Sequence, residues 1–309
     1  MTELYKKHRP KSLSKVIGQP SALSILKNFV ANDNVPHAIM FVGPSGVGKT
    51  TIARILTENV NCLQDTNFTE INCAECDPLE TIRNITKNIQ YRPLGGGSRV
   101  YLLDEYQSFS RATNAQQACL KLFEDCPNYV YFFLCTTDPH KIIPTIRNRC
   151  TEIKLVPVSN KVVSDYVKAI AKKEKKPNFS ADVADMIAEK CSGSVRAALV
   201  LLESVLHIDN ENEQIETIKK VDSAKASENL VKLLANPKTP WKDISETIKF
   251  LEKNGEEAET VRRQILGYAK SMLLNNSPRG AIIIDNFQFD VFSSGWPGLA
   301  LMAWKITKS

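Results

Sequence analysis

Eight consecutive residues constrain this chain more than any others. Gly43-Pro44-Ser45-Gly46-Val47-Gly48-Lys49-Thr50 follows a short apolar run, Ala38 to Val42, and precedes a segment whose Ile52, Ile55 and Leu56 share one helical face. The pattern G-x-x-x-x-G-K-[ST] gains its meaning from that strand-to-helix context. Glycines let backbone N–H groups converge on phosphate oxygens, and the helix start adds positive potential. Lys49 would neutralise the β and γ phosphates of ATP, Thr50 would offer Mg²⁺ a hydroxyl, and Thr51 would follow at the helix start. A chain with this loop has to build a strand that ends at it, which means an α/β fold.

The rest of the pattern agrees with that fold class. Further strands are expected at Phe68 to Asn72, Val100 to Leu103, Tyr129 to Cys135 and Glu152 to Leu155, separated by helical patterns as in a parallel sheet. One helix carries Ala22, Ile25, Leu26 and Phe29, and another carries Ala115, Cys119, Leu122 and Phe123 before Cys126-Pro127 ends it. From Ser159 onward the periodicity is helical only, through Val162, Tyr166 and Ile170, then Val183 and Ile187, then Leu199, Leu202 and Leu206. We expect three parts: an α/β core over residues 1–157, a small helical lid over 158–207 and a helical C-terminal domain over 217–309. The polar stretch Asp209 to Glu216 reads as a linker between the last two.

Composition narrows the class. With 309 residues, 43 % of them hydrophobic, the chain can form more than one core. No stretch approaches the ~20 apolar residues of a membrane span, and the charged N-terminus lacks an apolar run behind it, so a cytoplasmic location is expected. Lys plus Arg exceed Asp plus Glu by 40 to 34, which permits an anionic partner without demanding one. Eight cysteines at irregular spacings, Cys119 and Cys135 among them in apolar runs, argue for reduced thiols rather than a disulfide framework.

A second motif supplies acid groups. Val100-Tyr-Leu-Leu-Asp104-Glu105 is an apolar strand delivering two carboxylates at its C-terminal end, the edge where open α/β sheets bind ligands. Asp104 is the candidate Mg²⁺ ligand and Glu105 the group that polarises the attacking water. With the phosphate loop they imply ATP hydrolysis.

Taken in order, Tyr5-Lys-Lys-His-Arg9-Pro10, Val16-Ile17-Gly18-Gln19, the phosphate loop, Asp104-Glu105, Thr136-Thr137-Asp138-Pro139, Asn148-Arg149-Cys150 and Gly193-Ser194-Val195-Arg196 resemble the AAA+ clamp-loader ATPases. That family includes the replication factor C small subunits and the bacterial gamma/tau subunit. The resemblance covers residues 3 to about 205 and is specific in combination. It implies that Tyr5, Arg9, Pro10, Val16 and Ile17 surround the adenine. It also implies that Thr137, with Thr136 as the alternative, senses the γ-phosphate and that Arg196 is the lid's sensor. Arg149 would reach into the neighbouring subunit's ATP, although Asn148 replaces the family's usual serine. The helical tail would form an oligomerising collar.

Bacterial gamma/tau subunits carry a four-cysteine zinc module after the phosphate-loop helix. Here only Cys62, Cys73 and Cys76 occupy that region, an incomplete tetrahedral set, so no zinc is expected. The resemblance also makes Arg111, where the helix after Asp104-Glu105 opens, and Arg83 and Lys87, one turn apart on the preceding helix, the candidate contacts to DNA phosphates. The run Lys172 to Lys176 reads as a solvated helix end. The expected partners are a ring-shaped sliding clamp, primer-template DNA, further copies of the chain and a divergent subunit. Two other readings remain open at this point. One is a branch-migration helicase, which shares the Arg-Pro and Gly-Gln elements but normally ends in a winged-helix domain with a strand hairpin. The other is a non-catalytic nucleotide-binding scaffold, against which Lys49, Asp104, Glu105 and Arg149 all argue.

Overall fold

The computed structural model describes residues 3–93, 95–111, 113–253 and 256–308. They form two compact units, Met1–His207 and Ile208–Ser309.

The first unit opens with α1 (Leu4–Lys7) and α2 (Pro20–Ala31), then alternates strands and helices. β1 (Ala38–Val42) leads to α3 (Lys49–Asn59) and the short α4 (Gln64–Asn67), and β2 (Phe68–Asn72) leads to α5 (Pro78–Asn88). β3 (Arg99–Asp104) leads through the 3-10 turn Tyr106–Arg111 to α6 (Thr113–Glu124). β4 (Val130–Thr136), the one-turn α7 (Pro144–Arg147) and β5 (Thr151–Lys154) complete this part. All five strands lie parallel in the order β2-β3-β4-β1-β5. The first two strands coincide with their sequence expectation, and the other three differ by one residue at each end.

Successive side chains on a strand face opposite ways, so a sheet covered on both faces needs apolar residues at every position. β1 obeys this: Ile39 and Phe41 join a core with Leu26 of α2 and Ile52 and Leu56 of α3, while Met40 joins the opposite core. That second core holds Tyr101, Leu103, Phe132 and Leu134 from the strands against Ile82 and Ile85 of α5 and Cys119 and Leu122 of α6. The edge strand β2 carries exposed Thr69 and Glu70, which discourages pairing with another sheet.

Registration at the carboxyl edge positions the site. Val42 pairs with Thr136, Leu103 with Leu134 and Asn72 with Asp104, so the loop after β1 and the acids after β3 emerge on either side of the end of β4.

The three helices α8 (Asn160–Lys173), α9 (Ala181–Lys190) and α10 (Val195–Val205) pack through Val163, Val167, Val183, Ile187, Ala198 and Leu202. The turn between α9 and α10 requires Gly193: its φ is 78°, and a Cβ there would fall within 2.7 Å of the Val158 backbone nitrogen.

The second unit is built from α11 (Glu211–Ala235), α12 (Trp241–Lys253), α13 (Ala258–Leu274), α14 (Pro278–Phe287) and α15 (Gly295–Ile306). Its core centres on Leu230, Leu234, Leu251, Ile265, Phe287 and Leu299. α13 and α14 approach so closely that a Cβ on Gly280 would lie 2.7 Å from the Leu273 nitrogen. The expected linker over Asp209 to Glu216 is instead the start of α11. Asn210 caps it, accepting from the Asn212 and Glu213 N–H groups, so polar residues that read as a spacer serve as a first helical turn. Residue 217, the expected start of the last domain, therefore lies inside a helix. Among the described residues no strand follows β5, and no helix is long and apolar enough to cross a membrane.

Candidate functional site

Backbone contacts on both sides hold the phosphate loop in place. Gly43 donates its N–H to Thr136 O at 3.2 Å, and a Cβ at this position would strike Leu155 O at 2.4 Å. Gly46 and Gly48 have φ of 78° and 108°, a region that side chains disfavour. Gly46 O accepts the Arg196 N–H at 3.3 Å, joining the loop to the start of α10. Gln19 is the residue whose role the sequence did not disclose. Buried between the loop and the segment after β5, its amide donates to Val156 O at 2.7 Å and Val47 O at 3.4 Å and accepts from Val156 N–H at 3.1 Å.

Lys49 begins α3 with only 6 % of its surface exposed. Its ammonium donates to the carbonyls of Gly43 and Pro44, each at 2.8 Å. Burial pulls its pKa below the ordinary lysine value, opposed by Cys135, Glu105 and Asp104 and assisted by the Arg196 cation. One residue on, Thr50 Oγ1 donates to Asp104 Oδ2 at 2.8 Å, joining the two motifs across the end of β4. Cys135 fills the space beneath, and its complete burial keeps the thiol protonated far above its usual range.

Glu105 adopts a left-handed φ of 51° and gives its N–H to Asp104 Oδ1 at 3.0 Å. Non-glycine residues in that region are uncommon and cluster at functional sites. The Glu105 carboxylate is met by the side-chain amide of Gln107, which also receives Thr136 Oγ1. Of the two threonines weighed from sequence, Thr136 is fully buried in this contact, whereas Thr137 is exposed and reaches Gln107 through its backbone N–H.

A cleft runs from these acids to the N-terminal segment. Tyr5, Arg9, Pro10, Val16 and Ile17 line its far end, and Ser45, Val47 and Thr51 line its loop wall. Tyr166, Arg196 and Leu199 close it from the lid helices, with the Arg196 guanidinium 5.5 Å from the centre of the Tyr5 ring. The N-terminal segment is fastened to those same helices: Lys7 and His8 reach Glu174 at 2.7 and 2.6 Å, and Tyr166 OH donates to His8 O at 3.3 Å. The lysine-rich helix end is thus partly engaged, because Glu174 caps α8 and these two bonds hold its carboxyl below the usual range.

The remaining candidates lie outside the cleft. Arg149, 39 % exposed, pairs with Glu124 at the end of α6 and donates to Thr145 O at 3.1 Å. Arg83 and Lys87 stand on the solvent side of α5, one turn apart. Arg111 ends the 3-10 turn after Glu105, and its side chain lies outside the described residues. The sheet separates the three cysteines considered for zinc, with Cys62 in one core and Cys73 and Cys76 in the other.

Comparison with known proteins adds family context. A family profile described as DNA polymerase III, delta subunit, matches residues 18–82 and 78–159. Among curated proteins, the DNA polymerase III gamma subunit of Buchnera aphidicola subsp. Schizaphis graminum is 35 % identical over 229 residues, covering 68 % of this chain and 62 % of that protein. The tau subunit of Escherichia coli K12 is 32 % identical over 66 % of this chain and 34 % of its own length. The chain therefore spans between about a third and just under two thirds of these two relatives. Among solved structures, the Thermotoga maritima RuvB Holliday junction branch migration motor superposes with a TM-score of 0.59 over 78 % of this chain and 85 % of its own, at 20 % identity. That likeness defines the AAA+ fold. The polymerase III relatives place the likeness more narrowly, since it is carried by sequence over about two thirds of this chain, which is gamma/tau-like.

Proposed function

We propose that this chain is an ATP-hydrolysing motor subunit that opens a ring-shaped sliding clamp and loads it onto primer-template DNA during replication. The contact between Thr50 and Asp104 carries the reading, because it brings a hydroxyl and a carboxylate to one point beside a buried lysine in a gamma/tau-like chain.

Two hard oxygen donors 2.8 Å apart suit Mg²⁺, which Thr50 and Asp104 would hold. Bound there, the ion would neutralise charge on the phosphates. Lys49 would leave its loop carbonyls for the β and γ phosphates while the N–H groups of Ser45 to Thr51 cradle them. Glu105 would take a proton from the attacking water as the terminal P–O bond breaks and ADP departs. Tyr5, Arg9, Pro10, Val16 and Ile17 would enclose the adenine. Thr137 and Arg196 would register the γ-phosphate from β4 and from the lid, and Arg149 would complete the ATP site of a neighbouring copy in trans. Its exposure and single surface carboxylate partner suit a side chain that has to change partners. Arg83, Lys87 and Arg111 would meet DNA phosphates without reading sequence.

In this reading residues 1–157 are the motor, 158–207 the lid and 217–309, extended back to the start of α11, the collar that joins other subunits. The assembly works in the cytoplasm without zinc. The branch-migration reading draws only on shared fold, and a C-terminal unit with no strand among its described residues favours the loader. A non-catalytic scaffold would have no need of the Lys49, Asp104 and Glu105 arrangement.

The test is recovery of a ternary complex with clamp and primer-template DNA in a non-hydrolysable ATP analogue, followed by ATPase assay. We expect DNA-stimulated hydrolysis that Glu105→Gln lowers by about 10²- to 10³-fold while ATP still binds. An unchanged rate in Glu105→Gln refutes the motor, and recovery with four-way junctions but not with clamp points to branch migration.

A further inference from the structure

One side chain spans two strand ends at the carboxyl edge of the sheet. Gln107 lies in the 3-10 turn after β3. Its Nε2 donates to Glu105 Oε2, and its Oε1 accepts from Thr136 Oγ1 at 2.8 Å and from Thr137 N–H at 3.3 Å. Only one orientation of the amide satisfies both sides, because a carboxylate can only accept and a backbone N–H can only donate. The far partner is itself fixed: Thr136 is fully buried, and its Oγ1 also accepts the Asp138 N–H at 3.1 Å. The near partner sits on left-handed backbone that an ordinary side chain does not favour. Glutamine is suited to this place. Glutamate would oppose Glu105 with like charge, and leucine would leave the buried Thr136 hydroxyl without this acceptor.

We propose that Gln107 is a positioning residue for Glu105, tying the aim of that carboxylate to the end of β4. The proposal rests on the ATPase reading above and deepens it. Glu105 and the two threonines at the end of β4 are then one hydrogen-bonded unit, so a shift there re-aims the water-activating carboxylate through a single amide. A positioning role predicts damage to turnover rather than to binding.

The experiment compares, each assembled with its partner subunits and primer-template DNA, the full chain, Glu105→Gln, Gln107→Ala, Gln107→Glu and Thr136→Val. It measures kcat and KM for ATP, affinity for a non-hydrolysable ATP analogue, the thermal midpoint and NMR exchange of the Gln107 side-chain amide protons. In the substituted chains we expect Gln107→Ala to lower kcat by about 10- to 100-fold while KM and analogue affinity stay within about twofold. Gln107→Glu keeps the acceptor for Thr136 and Thr137 but loses the donor for Glu105. Like charge beside Glu105 should keep kcat as low as in Gln107→Ala although that acceptor is retained, whereas a role confined to holding Thr136 and Thr137 would let kcat recover. The Gln107 amide protons should exchange slowly in the unsubstituted chain and faster in Thr136→Val. Hydrolysis that depends on Glu105 but not on Gln107 sinks this inference alone, as does a kcat loss in Gln107→Ala that tracks analogue affinity and melting. Absence of Glu105-dependent hydrolysis in the unsubstituted chain sinks the ATPase reading and this inference together.

Discussion

Both compact units bury charged side chains, yet they leave those charges in different conditions. In the C-terminal unit Glu259 accepts from Arg262 at 2.8 and 2.7 Å, from Arg263 at 3.1 Å and from Val291 N–H at 3.1 Å, while Arg262 also donates to Phe287 O at 2.6 Å. Opposite charge and hydrogen-bonding capacity are both supplied from within. In the N-terminal unit Lys49 is equally buried but bonds only to two carbonyl dipoles, and Asp104 to a hydroxyl and an N–H. A charge held by neutral dipoles keeps its demand for a counter-charge, whereas a saturated ion pair does not. Burial alone therefore does not mark a site; burial with exchangeable partners does.

The contrast can be broken at several places. The largest effect is expected at Arg149, whose ion pair with Glu124 lies at the surface. Arg149→Ala should reduce hydrolysis in the assembled loader by about 10³-fold and leave ATP affinity of the isolated chain intact. Equal loss of both would show that Arg149 serves its own chain's cleft. Next, Lys49→Met should weaken ATP binding by about 10²-fold, as expected for loss of charge-assisted bonds, with little change in the melting of the first unit. Arg262→Met should do the reverse, sparing ATP affinity and lowering the melting of the second unit on the order of 5 to 10 °C. If calorimetry found Lys49→Met the more destabilising of the two, the distinction between exchangeable and saturated charges would fail.

The mildest test uses pH. Hydrogen bonding from Arg262, aided by Val291 N–H and Arg263, draws Glu259 from the ordinary 4.5 to about 2. A carboxylate whose pKa is depressed on folding contributes stability that is complete above 4.5 and is lost as pH falls towards 2. The C-terminal unit should therefore lose stability across that interval, and Glu259→Gln should flatten this part of the profile. A profile unaltered by the substitution would remove Glu259 as its source.

How far the sequence disclosed these units follows from the same physics. The glycines of the phosphate loop are legible because each backbone angle or close approach there excludes other residues. Asp104 and Glu105 are legible because an apolar strand has to stop where they begin. Gln107 and Gln19 are not, since their partners are backbone atoms and side chains brought together by β4 and by the segment after β5, far away in sequence. The Glu259 and Arg262 pair has the spacing of a solvent-exposed helical pair, and only the approach of α14 and the segment after it buries it. Asp209 to Glu216 misled for a local reason, because the residues that cap and open a helix are those that make a polar spacer.

Gly46 joins the loop to the lid at a point where no side chain fits. A Cβ there would lie 2.0 Å from Ser194 Oγ, while its carbonyl receives the Arg196 N–H. The loop and the first turn of α10 are therefore in direct mechanical contact, through one backbone hydrogen bond and the short Ser194 side chain. Tilting the lid strains the cradle itself, and seating a phosphate stiffens the footing on which the lid turns. Even a methyl group at position 46 would act as a wedge, prising apart two bodies whose coupling depends on their touching.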